Sequence, residues 1–307
     1  MKHAWSKIAL SLGFIASSAV WSTAQAESLV AINSSNEIGV FDTGNLAAAS
    51  FTKIIGLNDK QSLIGIDLRP SNNLLYGIST DNILYTLNAY TGVAQFAFNL
   101  STPIFAAGTG YGVDFNPVAD RGTGASLRVV NSNGDNLAVN ANTGAVVPQV
   151  GLTKVVDEKK VTATGFTAVA YANSDPTQPT TAPANTQLYY INSENDTLSI
   201  ATSAFNDPKI TLIGAIGIDI LKANGFELFS NGKAFAAINM DDGTSDSKLL
   251  GINLTSGLGT ILGTFNGTIN GLAAAPSAVP VPAALPLMAS ALGLFGLSRR
   301  NRNKKSA

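Results

Sequence analysis

A short opening returns along this chain. Gly65-Ile66-Asp67-Leu68-Arg69-Pro70 is followed by apolar runs from Leu74 to Ile78 and from Ile83 to Asn88. A turn at Ala89-Tyr90-Thr91-Gly92 then leads into a last run from Val93 to Leu100. The same order restarts at Gly112-Val113-Asp114-Phe115-Asn116-Pro117, passes Leu127 to Val130 and Asn136 to Asn140, and turns at Ala141-Asn142-Thr143-Gly144. A looser copy starts at Gly165-Phe166 and resumes at Leu188 to Ile191 and Leu198 to Thr202. It is interrupted by a Pro/Thr-rich stretch, Ser174 to Thr186, that reads as an exposed loop. A fourth copy starts at Gly225-Phe226-Glu227, passes Ala234 to Asn239 and turns at Asn253-Leu254-Thr255-Ser256-Gly257. The starts at 65, 112, 165, 225 and 271 lie 47, 53, 60 and 46 residues apart, which is the size of a four-stranded blade with its loops.

The turns have a local cause. The Asn side chain can bond the backbone two residues on, and Gly supplies the positive φ that a tight turn needs. Pro70 and Pro117 stop the first strand of their units because proline cannot continue a ladder. The two ends of the body are incomplete in complementary ways. Leu29–Ile32, Ile38–Asp42 and Phe51–Ile55 supply three strands without a first, and Ile269–Ala274 supplies a first strand without the others. Pairing them closes a ring and removes exposed sheet edges. The expectation is therefore an all-β propeller of five four-stranded blades, fastened by its N- and C-terminal strands. A six-bladed ring or a sandwich is the alternative.

Side-chain chemistry narrows function. Cysteine is absent and the only histidine is His3, so Ser-His-Asp and Cys-His catalysis and the usual zinc and copper ligands are missing from the body. Asp67 and Asp114 occupy the same place in consecutive units, Asp219 lies in a similar Gly-x-Asp context, and Glu227 follows the fourth opening. Two carboxylates about 5–10 Å apart would suffice for glycoside hydrolysis. In the other reading each Asp accepts backbone N–H groups from the neighbouring blade, and repetition at matching positions favours this, since catalysis seldom needs one residue in every blade. Arg69 and Arg128 stand beside these strands and could bridge to the aspartates. The loop with Asp241, Asp242 and Asp246, and the loop Asn131–Asn136, are oxygen-rich and could hold Ca²⁺, but neither has EF-hand spacing. Solvated turns are the expected reading, and no cofactor is expected. Seven of the 19 basic residues and none of the 20 acidic ones lie in residues 1–26 and 299–307, which leaves the intervening chain with 12 bases, 20 acids and a net charge of −8. Such a body argues against nucleic acid as a partner.

Both ends read as addresses. Lys2 and Lys7, the apolar Ile8 to Val20 and the small-x-small site Ala24-Gln25-Ala26 form a secretory signal peptide over residues 1–26, cut before Glu27 by signal peptidase. At the other end Val279-Pro280-Val281-Pro282 precedes the apolar Ala283 to Leu297 and then Arg299, Arg300, Arg302, Lys304 and Lys305. Residues 279–297 approach the ~20 that span a bilayer, and the basic tail would stay cytoplasmic. This tail resembles the PEP-CTERM sorting signal of Gram-negative bacteria in a Val-Pro-Val-Pro variant. The resemblance implies transient inner-membrane insertion and cutting by an exosortase; a plain membrane anchor is the alternative. The domain plan is signal peptide 1–26, propeller 27–275, and linker, transmembrane sorting helix and tail 276–307.

The segments Gly65–Tyr76, Gly112–Asn140, Tyr189–Asn192, Gly214–Asp219 and Leu249–Gly257 resemble a bacterial domain of unknown function, number 4394. Its hallmark is a repeated Gly-x-Asp-Phe-x-Pro opening. The resemblance implies a propeller-like fold outside the cytoplasm and carries no catalytic residue; the insertion Arg121–Ser126 and the Pro/Thr loop depart from it. The resulting functional expectation is an exported, cell-surface or extracellular, non-enzymatic binding or structural component of the extracellular matrix, with exopolysaccharide or matrix protein as partner. The alternative is a carbohydrate-active hydrolase using Asp67, Asp114, Asp219 or Glu227.

Overall fold

The computed structural model describes residues 26–276, except 123–125, 157, 175–180 and 241. The N-terminal apolar segment with Ala24, the Val279–Pro282 box, Arg299, Arg300 and Asp241 therefore lie outside the described residues. Among the described residues, no helix is long and apolar enough to cross a membrane.

The chain begins with β1 (Ser28–Asn33), β2 (Glu37–Asp42) and β3 (Ser50–Lys53). A complete sheet follows in β4 (Leu63–Arg69), β5 (Leu74–Ser79), β6 (Ile83–Leu87) and β7 (Ala94–Asn99). The next comprises β8 (Tyr111–Phe115), β9 (Leu127–Asn131), β10 (Asn136–Val139) and β11 (Val146–Pro148). A separate hairpin, β12 (Thr153–Val156) and β13 (Lys159–Thr162), intervenes. Then come β14 (Phe166–Tyr171), β15 (Leu188–Asn192), β16 (Thr197–Ala201) and β17 (Thr211–Ala215). The last full sheet is β18 (Ile220–Leu228), β19 (Ala234–Met240), β20 (Lys248–Ile252) and β21 (Gly259–Thr264). Finally β22 (Ile269–Ala274) pairs antiparallel with β1, matching Ala31 to Leu272 and Val30 to Ala273, and completes the first sheet in the order β22-β1-β2-β3. The fold is a five-bladed β-propeller closed by its two terminal strands, so the six-bladed and sandwich alternatives fall.

Burial follows position in the blade. The innermost strands β8 and β14 are buried at every residue, because neighbouring blades cover both faces, whereas the outermost β17 is half-buried or exposed. Apolar side chains form five clusters, one at each seam between blades. Ile32 and Ile66 share the first, Tyr76 and Phe115 the second, Tyr171 and Tyr190 the third, Phe226 and Ile238 the fourth, and Leu29 and Phe235 the fifth. Edge-to-face rings reinforce three of them, with centroids 5.4 Å apart for Tyr76 and Phe115, 5.5 Å for Phe166 and Tyr190 and 5.2 Å for Phe41 and Phe265.

The Asn-to-Gly turns also link blades. Asn88 Oδ1 accepts the N–H groups of Tyr90 and Thr91, each at 3.0 Å, and Asn253 Oδ1 does the same for Thr255 and Ser256. Gly144 has φ 74°, and a Cβ on it would stand 2.2 Å from the carbonyl oxygen of Asn99 in the preceding blade. Its carbonyl accepts Ser101 N–H at 2.9 Å. Glycine there serves both the turn and the close seating on the next sheet.

Three details differ from the sequence reading. The 53-residue interval after the second start hides the β12–β13 hairpin, a unit outside the blade repeat. The third opening is out of register by three residues. Tyr171, not Thr167 or Ala168, makes the inter-blade bond that Phe115 makes one blade earlier, so Ala168 stands where the other copies have Gly65 and Gly112. The starts become 65, 112, 168, 225 and 271, spaced more evenly at 47, 56, 57 and 46. Finally, Arg69 and Arg128 do not bridge to the repeated aspartates. Arg69 Nε meets Asp120 Oδ1 at 2.6 Å, and Arg128 donates to Asn136, Asn206 and the Tyr171 hydroxyl.

Candidate functional site

The five innermost strands reach the axis through a collar of small residues, Gly65, Gly112, Ala168, Gly225 and Gly271. A Cβ on Gly112 would lie 2.7 Å from Val169 N and 2.8 Å from two backbone carbons of Ala168. At Gly112 a side chain is excluded because the next strand's own backbone occupies the space. The cavity at this level is about 10 Å³, the room of one water molecule at most. Gly112→Ala is expected to destabilise the domain by about 3 kcal/mol, because a backbone clash cannot be relieved by a rotamer change. A urea melt with a midpoint equal to that of the unsubstituted protein would show that the collar has slack.

Two residues beyond the collar, three acids converge. Carboxylate oxygens of Asp67, Asp114 and Glu227 all lie within 4.8 Å of one another, and the three residues are only 3–5% exposed. Each is tied to the blade that follows. Phe115 N–H donates to Asp67 Oδ2 at 2.6 Å, Tyr171 N–H to Asp114 Oδ1 at 3.0 Å, and Ala274 N–H to Glu227 Oε2 at 2.8 Å. Asp67 Oδ1 also accepts Leu68 N–H at 2.7 Å. By the same register Ala170 and Ala273 hold the matching places in the other two blades. The third bond is made across the seam that closes the ring. Asp67 and Asp114 thus occupy the inter-blade bonding positions of the second sequence reading, and Glu227 shares the pattern. Asp219 does not join them: it is exposed on the bend before β18.

The electrostatics are severe. Two full charges at that separation would repel by about 3 kcal/mol at an effective dielectric of ~20. Burial pushes Asp67 well above the usual carboxylate range, and the charge of Glu227 adds to this, while the two N–H donors pull back. Burial likewise raises Asp114, with Asp67 and then Glu227 contributing. Burial raises Glu227 to about 7. No basic side chain contributes to any of the three shifts. Such groups titrate together, so their protons belong to the cluster. An all-oxygen donor set of this kind suits a hard cation such as Ca²⁺ or Mg²⁺ over a soft one. Ca²⁺ takes about 6–8 oxygens, so three carboxylates would need a substantial complement from water.

The other acidic loop has a simpler use. Asp242 Oδ1 accepts Thr244 N–H at 3.0 Å and the Thr244 hydroxyl, and its bond to Thr244 holds the carboxyl below the usual range. Asp246 Oδ1 accepts Gly267 N–H at 2.8 Å. The only group of three or more potential metal ligands among the described residues is the axial one.

Larger cavities lie away from the axis, at the two ends of the seam between the β8–β11 and β14–β17 blades. One, about 330 Å³, is lined by Asn116, Ser126, Arg128, Phe205 and Asn206. The other, about 290 Å³, lies between the β12–β13 hairpin and the β14–β17 blade. Sequence reasoning found neither, because each sets repeat strands against a segment outside the repeat, the connection after β8 in the first and the β12–β13 hairpin in the second.

A family model described as Domain of unknown function (DUF4394) matches residues 37–273. No curated protein matches the chain. Among solved structures, a calcium-binding protein, regucalcin, from Agrobacterium tumefaciens is similar at 11% identity and TM-score 0.38, over 79% of this chain and 74% of that one. An auxiliary nutrient binding protein from Bacteroides thetaiotaomicron is similar at 11% identity and TM-score 0.41, over 68% and 53%. A protein of unknown function from the same organism is similar at 12% identity and TM-score 0.43, over 81% and 60%. The chain thus spans about half the length of the nutrient binding protein.

Proposed function

Since the chain belongs to the Domain of unknown function (DUF4394) family, which transfers no catalytic residue, we propose from its own geometry that it is a non-enzymatic binding propeller of the extracellular matrix. The observation that carries this reading is the use made of the three axial acids. They are buried and spent on inter-blade bonds beside a cavity of about 10 Å³, which has no room for a sugar ring. A hydrolase needs its two carboxylates on opposite sides of an accessible glycosidic bond. The roomier cavities carry amide and hydroxyl side chains in place of paired acids, as a binding site does.

The terminal segments support a place outside the cytoplasm. In this reading signal peptidase cuts after Ala26, the apolar tail inserts transiently in the inner membrane, and an exosortase cuts near Val279–Pro282. The product reaches the cell surface or the medium, where exopolysaccharide or a matrix protein is its partner. Intact mass of the exported protein tests both cleavages, since a product retaining Leu297 would reject release by sorting.

The enzyme question is tested by the double variant Asp67→Asn, Asp114→Asn. At pH 5 it is expected to melt below the unsubstituted protein, losing about 1–3 kcal/mol, because an amide at position 67 can accept only one of the two N–H groups that Asp67 satisfies. Neither protein is expected to release reducing sugar from purified exopolysaccharide. Release by the unsubstituted protein that vanishes in a folded double variant would reverse the assignment to a hydrolase.

A further inference from the structure

We infer that the groove between the β12–β13 hairpin and the β14–β17 blade is a binding site for a neutral saccharide. This rests on the binding role proposed above and assigns it a place and a ligand class.

The groove exists because the seam there is left open. The outer strand β11 of the preceding blade is only three residues long, so it covers little of the sheet beside it. The inserted hairpin forms the opposite wall through Thr153 and Lys154. On the blade side, the ladders set Phe166, Asn192 and Thr197 side by side across β14, β15 and β16. Ser199 follows on the same face of β16 and stands opposite Leu212 of β17. The row thus offers an aromatic ring, an amide, two hydroxyls and an aliphatic side chain along one wall.

One of these groups is unusual for a surface with nothing to bind. Leu212 is 64% exposed, the highest value among the large apolar side chains of the described residues. Ser199 opposite it lines the groove and brings a hydroxyl to the same wall. Asn192 is held rigid, with Oδ1 accepting Glu194 N–H at 2.9 Å and Nδ2 donating to the Thr164 carbonyl at 2.8 Å. A fixed amide sets the orientation of whatever stacks beside it.

The ligand class follows from the chemistry of the walls. A sugar ring has an apolar face for the exposed Leu212 and a hydroxyl edge for Ser199 and Thr197, while Phe166, 5% exposed and packed edge-to-face against Tyr190, lines the groove as part of the core. Lys154 is the one charged residue lining the groove, so a strongly charged ligand has little to meet. The volume, about 290 Å³, lies at the lower limit of small-ligand cavities, ~300 Å³, which suits a segment of a chain whose remainder stays in solvent.

The test is saturation-transfer NMR and titration of the purified protein with trisaccharides of neutral hexose, N-acetylhexosamine and hexuronic acid. A neutral trisaccharide is expected to bind. Ser199→Ala and Leu212→Ala are each expected to weaken it about fivefold. Thr197→Arg, which fills the groove, is expected to abolish binding, and thermal melts of the two alanine variants report that the fold is kept. If the protein binds a neutral trisaccharide and the alanine variants bind it equally well, the groove is the wrong place while the binding function stands. Binding of the hexuronic acid alone would overturn the neutral class. If none of the three binds, the groove and the saccharide-binding function both fall.

Discussion

A chain ending at Thr268 is expected to yield no folded propeller, whereas one ending at Pro276 is expected to melt like the full protein. The shorter chain loses β22, the innermost strand of the first blade. Ile269 and Leu272 are at most 2% exposed and belong to the cluster shared by the last and first blades, and each contributes about 1.5–3 kcal/mol by its burial. The ladder from Leu29 to Asn33 goes unpaired, leaving a buried strand with an open edge. Ala274 N–H, the partner of Glu227, disappears as well, and with it the one axial bond made across the closing seam. The combined loss, about 10 kcal/mol, is comparable to the whole stability of a typical domain, about 5–15 kcal/mol. Circular dichroism and resistance to proteolysis check the outcome. A native-like spectrum from the shorter chain would mean that the ring holds without its seam.

That seam was legible in the sequence because its cause is local and repeated. Three strands without a first, and a first strand without three, can be counted from apolar runs and turn residues alone. The Asn88, Asn140 and Asn253 turns were readable for the same reason, since the bond from Asn Oδ1 spans two or three residues. What escaped was set by contacts between blades. Gly165 looked like the third opening because it is followed by Phe, but it has φ 84° and precedes the strand as a turn residue. Ala168 fills the collar position and leaves no glycine to mark it. Ala170 and Ala273 replace the acid in two blades, so the axial cluster has three members, which no single unit could reveal. Asp219 copied the Gly-x-Asp spelling on a bend. Arg69 found its partner in Asp120, inside a segment absent from the other units. The groove beside β12–β13 was invisible because that hairpin has no counterpart in the repeat.

Raising the pH from 5 to 8 is expected to lower the melting temperature, opposite to the trend of a protein stabilised by ionised carboxylates. The sign follows from Glu227. Its pKa rises from 4.5 in the unfolded chain to about 7 in the fold, so the stability it contributes is full below pH 4.5 and lost as the pH climbs through 7. A shift of that size corresponds to about 3 kcal/mol, or a fall of about 6–12 °C for a domain of this length. Asp67 and Asp114 are raised from the same side and add to the fall. No other side chain described in the fold has an ordinary pKa in that window, because His3 lies outside residues 26–276 and cysteine is absent. Glu227→Gln separates the cluster from any general effect of pH. Its carbonyl oxygen can still accept Ala274 N–H, and its amide can donate to a neighbouring carboxylate without ionising. The variant is expected to melt near the unsubstituted protein at pH 5 and above it at pH 8. Equal losses in the two proteins between those values would place the pH dependence somewhere other than the axis. With the sign as expected, the ring is held at its centre by shared protons: ionising the acids strengthens the N–H bonds they accept, but the cost of burying mutually repelling charges outweighs that gain.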